Sequence, residues 1–359
     1  MQVAASLIEE MAVLHRVEGR PLPEVFVSDE VLRNVVDPGG IDLRPMPRRW
    51  RLTPELRRQR HRHDAVLTVF GPVYGPRVAP LEVMGYADVS SVYDQSWSGR
   101  ERATTRTRRG LRRALSRASV RRADHVISET DEFRRALVDE VGVAASRVSV
   151  IPNTYHRVFD DSPTTVASPR PSGPVRLLYV ARAYPHKNHD FLGQVGRELA
   201  ASGGPRVSFV VTLSDQEWAG LSDATRQHCE NVGPVDVAAL PALYAGVDGV
   251  VFPSLLEAFS ATPLEAARAG KPLFAADRGF VRSVVGDMAT YFDPLDAVAA
   301  ARTLHEAWQH PDRLTERTGE ALRLALSWPT GADRARSYLD LVDRLLGDTG
   351  RAATREAPA

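Results

Sequence analysis

VFPSLLEAFSATPLEAARAGKP, residues 251–272, reads as a strand, a loop and a helix in succession. A β-rich apolar run stops at Pro253, a short loop follows, and a helix starts near Pro263. Pro at the first helical position and Gly270 at the far end mark its limits. A helix N-terminus offers unpaired N–H groups and a partial positive charge, and both favour a phosphate. Glu257 stands in the loop and Glu265 in the first turn, eight positions apart. Carboxylates accept hydrogen bonds from sugar or ribose hydroxyls, so this pair suits a sugar linked to a nucleotide. Glu265 has a second reading, because Thr262-Pro263-Leu264-Glu265 fits a capping box in which the Glu serves only the backbone. Glu257, in a loop between apolar residues, has no such structural role ready for it.

Upstream, YVARAYPHKN, residues 179–188, repeats the arrangement with opposite charge. A buried strand, 175–181, runs into a polar loop that carries Arg182 and Lys187, and a helix begins near His189. Arg forks onto phosphate oxygens and Lys acts as a point charge, so two cations at the carboxyl end of a strand suit a diphosphate. A solvated loop with incidental charge would look the same. His186 and His189 flank Lys187; loop histidines are usually solvated, although these could touch phosphate.

Working outward, apolar runs alternate with helical patterns along most of the chain. Strands are expected at 24–28, 65–70, 89–93, 125–128 and 148–151, then at 175–181, 207–213, 249–253, 272–276 and 290–292. Helices are expected between them, as at 131–139, 189–201 and 263–269. The alternation predicts an α/β protein with two doubly wound, Rossmann-like domains facing a cleft, ligands sitting at the carboxyl ends of the strands. The Pro-, Ser- and Thr-rich stretch DSPTTVASPRPSGP is a linker, 161–174, between an N-terminal domain, 1–160, and a C-terminal domain, 175–330. A helix at 331–346 would return to the first domain, and 347–359 reads as a disordered tail.

The balance of 46 basic and 45 acidic residues gives a net charge of +1, which does not point to nucleic acid. Cys229 is the single cysteine, so a disulfide framework is excluded and a reducing cytoplasm fits. No apolar run approaches the ~20 residues of a membrane span. The start, MQVAASLIEE, lacks the basic and apolar regions of a signal peptide and reads as a helix already under way. The ten histidines show no metal-ligand spacing, and His61 and His63 read as surface residues.

Taken together, the two loops resemble the retaining glycosyltransferases of family four, also called group 1, which have the GT-B fold. The resemblance rests on Glu257, AFSATPL and Glu265 followed by AARAGKP, and on NVGPVDVAALPALYAGVDGVVFPS, YVARAYPHKN and DRGFVRSVVGDMATYFDPLD. RRADHVISETDEFRRAL and RVSVIPNTY resemble the close of the family's N-terminal domain. The resemblance implies that Arg182 and Lys187 hold the donor diphosphate, that Glu265 binds the ribose, and that Glu257 contacts the transferred sugar. It also implies that the backbone N–H groups of Phe259, Ser260 and Ala261 face the sugar, those of Thr262 and Leu264 the phosphate, and that the turn at Val232 and Gly233 borders the base.

The implied reaction moves a hexose, with retention and without a metal or cofactor, from a nucleotide-diphosphate sugar to a saccharide or lipid-linked acceptor in cell-envelope polysaccharide or glycoconjugate synthesis. Three departures stand out. Ala258 and Ser260 replace the family's usual glycines; the first strand and glycine-rich loop are absent from the pattern; and MGYADVSSVYD, 84–94, has no His where many members carry one. Two rival readings stay open: a non-catalytic partner that binds nucleotide-sugar, and an epimerase or hydrolase on the same fold.

Residues 100–122 contain ten arginines and one acid, with Leu111, Ala114, Leu115 and Ala118 at helical spacing. Such a helix can lie on an anionic membrane, at the inner face of the cell membrane for a cytoplasmic protein, or be a solvated face. DNA binding lacks an accompanying recognition motif.

Overall fold

A computed structural model describes residues 2–35, 37–46, 60, 62–93, 103–160, 164, 166 and 173–355. The chain divides into two units, Met1–Thr154 with Pro329–Ala359, and Tyr155–Trp328. The first division therefore falls at Thr154, ahead of the expected 160. Tyr155 and Phe159 are buried in the core of the second unit, which draws them away from the first.

In the first unit, β1 (Val25–Val27) and β2 (Leu43–Pro45) form a parallel pair. A four-stranded parallel sheet follows in chain order: β3 (Ala65–Thr68), β4 (Leu81–Gly85), β5 (His125–Ser128) and β6 (Val148–Val150). The expected strand at 89–93 is instead a short helix, Val89–Val92, and the strand lies upstream as β4. Glu82 and Gly85 hide β4 by interrupting its apolar run. Glu82 is buried and accepts a 2.9 Å bond from the Val78 N–H, while a Cβ on Gly85 would stand 2.1 Å from the Val69 carbonyl oxygen.

The helix Gln2–Glu18 and the C-terminal helix Gly331–Arg355 share one apolar core with the sheet, through Leu7, Ile8 and Met11 on one side and Ala335, Tyr338 and Leu341 on the other. Ion pairs Arg336–Glu18 at 2.6 Å and Arg20–Asp343 at 3.0 Å tie their flanks. The C-terminal helix thus runs past 346 to Arg355, which corrects the expected disordered tail; 356–359 lie outside the described residues. The basic stretch forms the helix Ala103–Arg122, with 100–102 outside the described residues. His61 and Asp94 also lie outside them, whereas His63 is half-buried and pairs with Glu24 at 3.0 Å.

The second unit is a six-stranded parallel sheet: β7 (Val175–Tyr179), β8 (Val207–Val211), β9 (Cys229–Asn231), β10 (Gly249–Phe252), β11 (Leu273–Ala276) and β12 (Thr290–Phe292). Their order is β12-β11-β10-β7-β8-β9, so the winding reverses between β7 and β10. Covered on both faces, β7, β8, β10 and β11 read as nearly unbroken apolar runs, which is why they were legible. β2 and β9 were missed because LRP and CEN are short and polar. The helix His189–Ala201 lies close against Ser222–His228, where Gly193 and Gly196 leave room for Thr225 and the His228 ring.

Candidate functional site

In a doubly wound sheet the loops on either side of the winding reversal diverge and leave a crevice at the strands' carboxyl ends. Here those loops are 180–188 after β7 and 253–261 after β10, the two that carry the charged residues read from the sequence. They are stitched together. The Leu255 N–H donates to His186 O at 2.8 Å. The Tyr179 hydroxyl, fully buried, donates to Lys187 O at 2.9 Å and shares a 2.8 Å bond with the buried Ser254 hydroxyl. Burial pushes the Tyr179 phenol well above its ordinary pKa, which keeps it neutral. Asn188 has a left-handed backbone (φ 59°) and sends its side-chain NH2 to Pro253 O at 3.3 Å and Pro294 O at 2.9 Å. Asn tolerates that conformation better than most residues.

This stitching brings Lys187 and Glu257 into a hydrogen-bonded ion pair, each side chain mostly buried. Arg182 is held differently. Its Nε donates to Glu217 Oε1 at 2.7 Å, and the side chain stays 60% exposed. Glu217 also accepts from the Ala183 N–H at 3.1 Å and from the Ser214 N–H and hydroxyl at 3.1 and 2.8 Å. Burial raises the Glu217 pKa, but the bonds from Arg182, Ser214 and Ala183 outweigh it and hold the carboxyl down at about 2. Glu217 was not among the sequence candidates. Its signal was the capping box Ser214-Asp215-Gln216-Glu217, which the structure forms in full.

The capping-box reading of Glu265 is corrected. The helix is Thr262–Arg268, its N-cap position is Ala261, and no side chain caps it. Glu265 is buried, with Oε2 accepting a 2.7 Å bond from the Tyr244 hydroxyl. Burial pushes its carboxyl up to about 7, and the Tyr244 bond pulls the other way. Phe259 and Thr262 are buried, Ser260 and Ala261 half-buried, and Leu264 fully enclosed. Ala258, in place of the expected glycine, is also buried.

Val232 and Gly233 follow β9, with Val232 40% exposed and Gly233 at φ 78°. Asn231 pins this turn to the end of β8, accepting from Leu213 N at 2.9 Å and donating to Leu213 O at 3.0 Å. His189 is not solvated, in contrast to the expectation. It opens its helix, is 5% exposed, and packs its ring 4.9 Å from that of Tyr179. Neither ring nitrogen has a hydrogen-bond partner among the described residues, and burial lowers its pKa to about 4.

The second unit thus gathers Arg182, Lys187, Glu257 and Glu265 around one end of one sheet. The family description "Glycosyl transferases group 1" matches residues 163–324, and "Glycosyltransferase Family 4" matches residues 9–156. The chain belongs to the group 1, family 4 glycosyltransferases.

It is 31% identical to the D-inositol 3-phosphate glycosyltransferase of Kineococcus radiotolerans over 66% of this chain and 60% of that protein. It is 28% identical to the glycogen synthase of Mycobacterium tuberculosis over 59% of this chain and 53% of that one. The chain therefore spans between half and two thirds of these curated relatives. Among solved structures, Anabaena HepE in complex with UDP-glucose superposes with a TM-score of 0.69 at 15% identity, covering 95% of this chain and 96% of that one. A glycosyltransferase from Rickettsia africae superposes with a TM-score of 0.68 at 15% identity, covering 95% and 94%. These likenesses carry the GT-B fold. No helix among the described residues is long and apolar enough to cross a membrane.

Proposed function

We propose that this chain transfers a hexose from a nucleotide-diphosphate sugar, with retention at the anomeric carbon, to a saccharide or lipid-linked acceptor of the cell envelope. The observation that carries the reading is the meeting of Lys187 and Glu257 at the winding reversal, one cation and one carboxylate from loops 70 positions apart. An ammonium has three N–H donors, so Lys187 can keep Glu257 and still meet a diphosphate oxygen. Arg182 supplies the second cation, from a guanidinium that Glu217 orients. As the sugar–phosphate bond breaks, negative charge grows on the diphosphate, and preorganised cations act most strongly on charge that develops in the transition state. Glu257 would then meet the transferred sugar and Glu265 the ribose. The backbone of 259–261 would face the sugar, that of Thr262 and Leu264 the phosphate, and Val232 and Gly233 the base.

HepE is solved with UDP, UDP-glucose, and UDP with glucose, which makes UDP-glucose the first donor to try. The protein would act in the cytoplasm, at the inner face of the membrane when its acceptor is lipid-linked. The test is turnover with a panel of nucleotide-sugars and saccharide acceptors, in buffer with and without EDTA. Transfer that persists in EDTA is the expected result. Donor binding without any transfer would reduce the chain to a nucleotide-sugar-binding partner, and strict metal dependence would overturn the cation-only account of the leaving group.

A further inference from the structure

The helix Ala103–Arg122 holds to its unit by Ser116, Ser119 and Val120, all buried, and turns the stripe of Leu111, Ala114, Leu115 and Ala118 outward. Ser116 and Ser119 are buried, donating to Asp88 Oδ2 at 3.0 Å and to Val73 O at 2.5 Å. The Arg113 and Arg117 guanidinia fold inward onto Ser91 O at 3.0 and 2.8 Å and onto Val92 O at 3.1 and 3.0 Å. That reverses the usual arrangement, in which the apolar stripe faces the core. Leu111 is 63% exposed and Leu115, one turn on, 51%. Ala114 and Ala118 extend the same exposed strip, with Arg108 and Arg112 exposed beside it, and the whole helix contains no acidic residue. Phe70 and Tyr74 are also exposed, on the loop whose Val73 and Gly75 carbonyls receive Ser119 and Arg122.

We infer that this face docks on an anionic lipid surface, with Leu111 and Leu115 entering the apolar boundary and Arg108 and Arg112 meeting headgroup phosphates. The charge decides the occupant. Leucines flanked by arginines on a helix without acids match an apolar layer beneath a sheet of negative charge, and exposed aromatics suit the same boundary. The inference rests on the membrane part of the reading above and names the surface that would carry it.

The test is sedimentation of the full chain with vesicles of phosphatidylcholine alone or mixed with phosphatidylglycerol. Binding should require phosphatidylglycerol and fade as salt rises. Leu111→Asp with Leu115→Asp should weaken it by about tenfold or more even at low salt, since the apolar contribution scales with buried area. Arg108→Ala with Arg112→Ala should weaken it and flatten its salt dependence. Both variants change exposed side chains, so an unaltered melting temperature and unaltered UDP-glucose binding verify that the fold is intact. Absence of binding at low salt overturns the inference. So does leucine-independent binding, or equally tight and leucine-independent retention on heparin, which leaves a solvated basic face. Transfer to a soluble acceptor, assayed without lipid, reports separately on the transferase reading: intact transfer with no vesicle binding removes only the docking surface.

Discussion

The Tyr244 hydroxyl donates a 2.7 Å hydrogen bond to Glu265, a carboxyl that is 7% exposed and pushed up to about 7. The folded chain therefore binds a proton here between pH ~4.5 and ~7 that the unfolded chain has released. Stability from this group should fall as pH rises through that window, by up to about 1.4 kcal/mol per pH unit. Glu265→Gln should remove that slope. His189, lowered to about 4, has the opposite sense and is unchanged in the variant, so the difference between parent and variant isolates Glu265. Denaturant unfolding of both proteins from pH 5 to 8 measures it, and parallel curves would mean that Glu265 is charged in the folded state.

Glu257→Gln and Glu265→Gln should fail differently. Glu257→Gln removes the partner charge of Lys187 and should lower turnover more than nucleotide binding, because an interaction made chiefly in the transition state appears in kcat. Glu265→Gln leaves the helix without loss, since no side chain caps it, and should weaken UDP binding by about 1 kcal/mol or more. Calorimetric UDP titration and single-turnover rates separate the two. Parental turnover in Glu257→Gln, or parental UDP affinity in Glu265→Gln, would strike out the corresponding role.

Glu217 should behave as an acid-sensitive clamp on Arg182. Its carboxyl is lowered from 4.5 to about 2, so its stabilisation is complete above ~4.5 and disappears as pH falls toward ~2. Glu217→Ala should cost about 1–3 kcal/mol at pH 7, a range that allows for the exposed Arg182 partner, and the deficit should shrink on acidification. A pH-independent deficit would assign Glu217 to packing instead.

Gly193→Ala tests the fold apart from any ligand. A Cβ there would meet the Thr225 Cα at 2.5 Å, a backbone atom that cannot swing aside. Crowding of about 1–3 kcal/mol should exceed the helix-propensity gain of about 1 kcal/mol. Gly319→Ala, on a helix with open space at that position, is the control and should be neutral or stabilising. A stable Gly193→Ala would show that the two helices can part without loss.

The site was readable where its signals were local. Arg182, Lys187, Glu257 and Glu265 each follow a strand pattern or a helix start visible within a few residues. Glu217 and Tyr244 were not, because each acts through a partner on another element: Glu217 lies 35 positions from Arg182, and Tyr244 lies 21 from Glu265. Likewise β4 was displaced in the reading, since Glu82 and Gly85 are tolerated there only by contacts from outside the strand.

By itself, then, the amino-acid sequence determined the alternation of buried strands and helices in the second half, and the two loops that bear charge. Apolar runs, Pro263 and Gly270 act on their own neighbourhoods, so their consequences are written beside them. Only the tertiary structure decided that β10 lies next to β7, and with it that Lys187 meets Glu257. It alone also turned Leu111 and Leu115 outward, because the inward face of that helix carries the buried Val120 together with groups bonded to the Tyr86 hydroxyl, the Asp88 carboxylate and the Ser91 and Val92 carbonyls, and not the Leu111–Leu115 stripe. Strand order and helix facing are set by which surfaces bury together across the chain, and no local period encodes them.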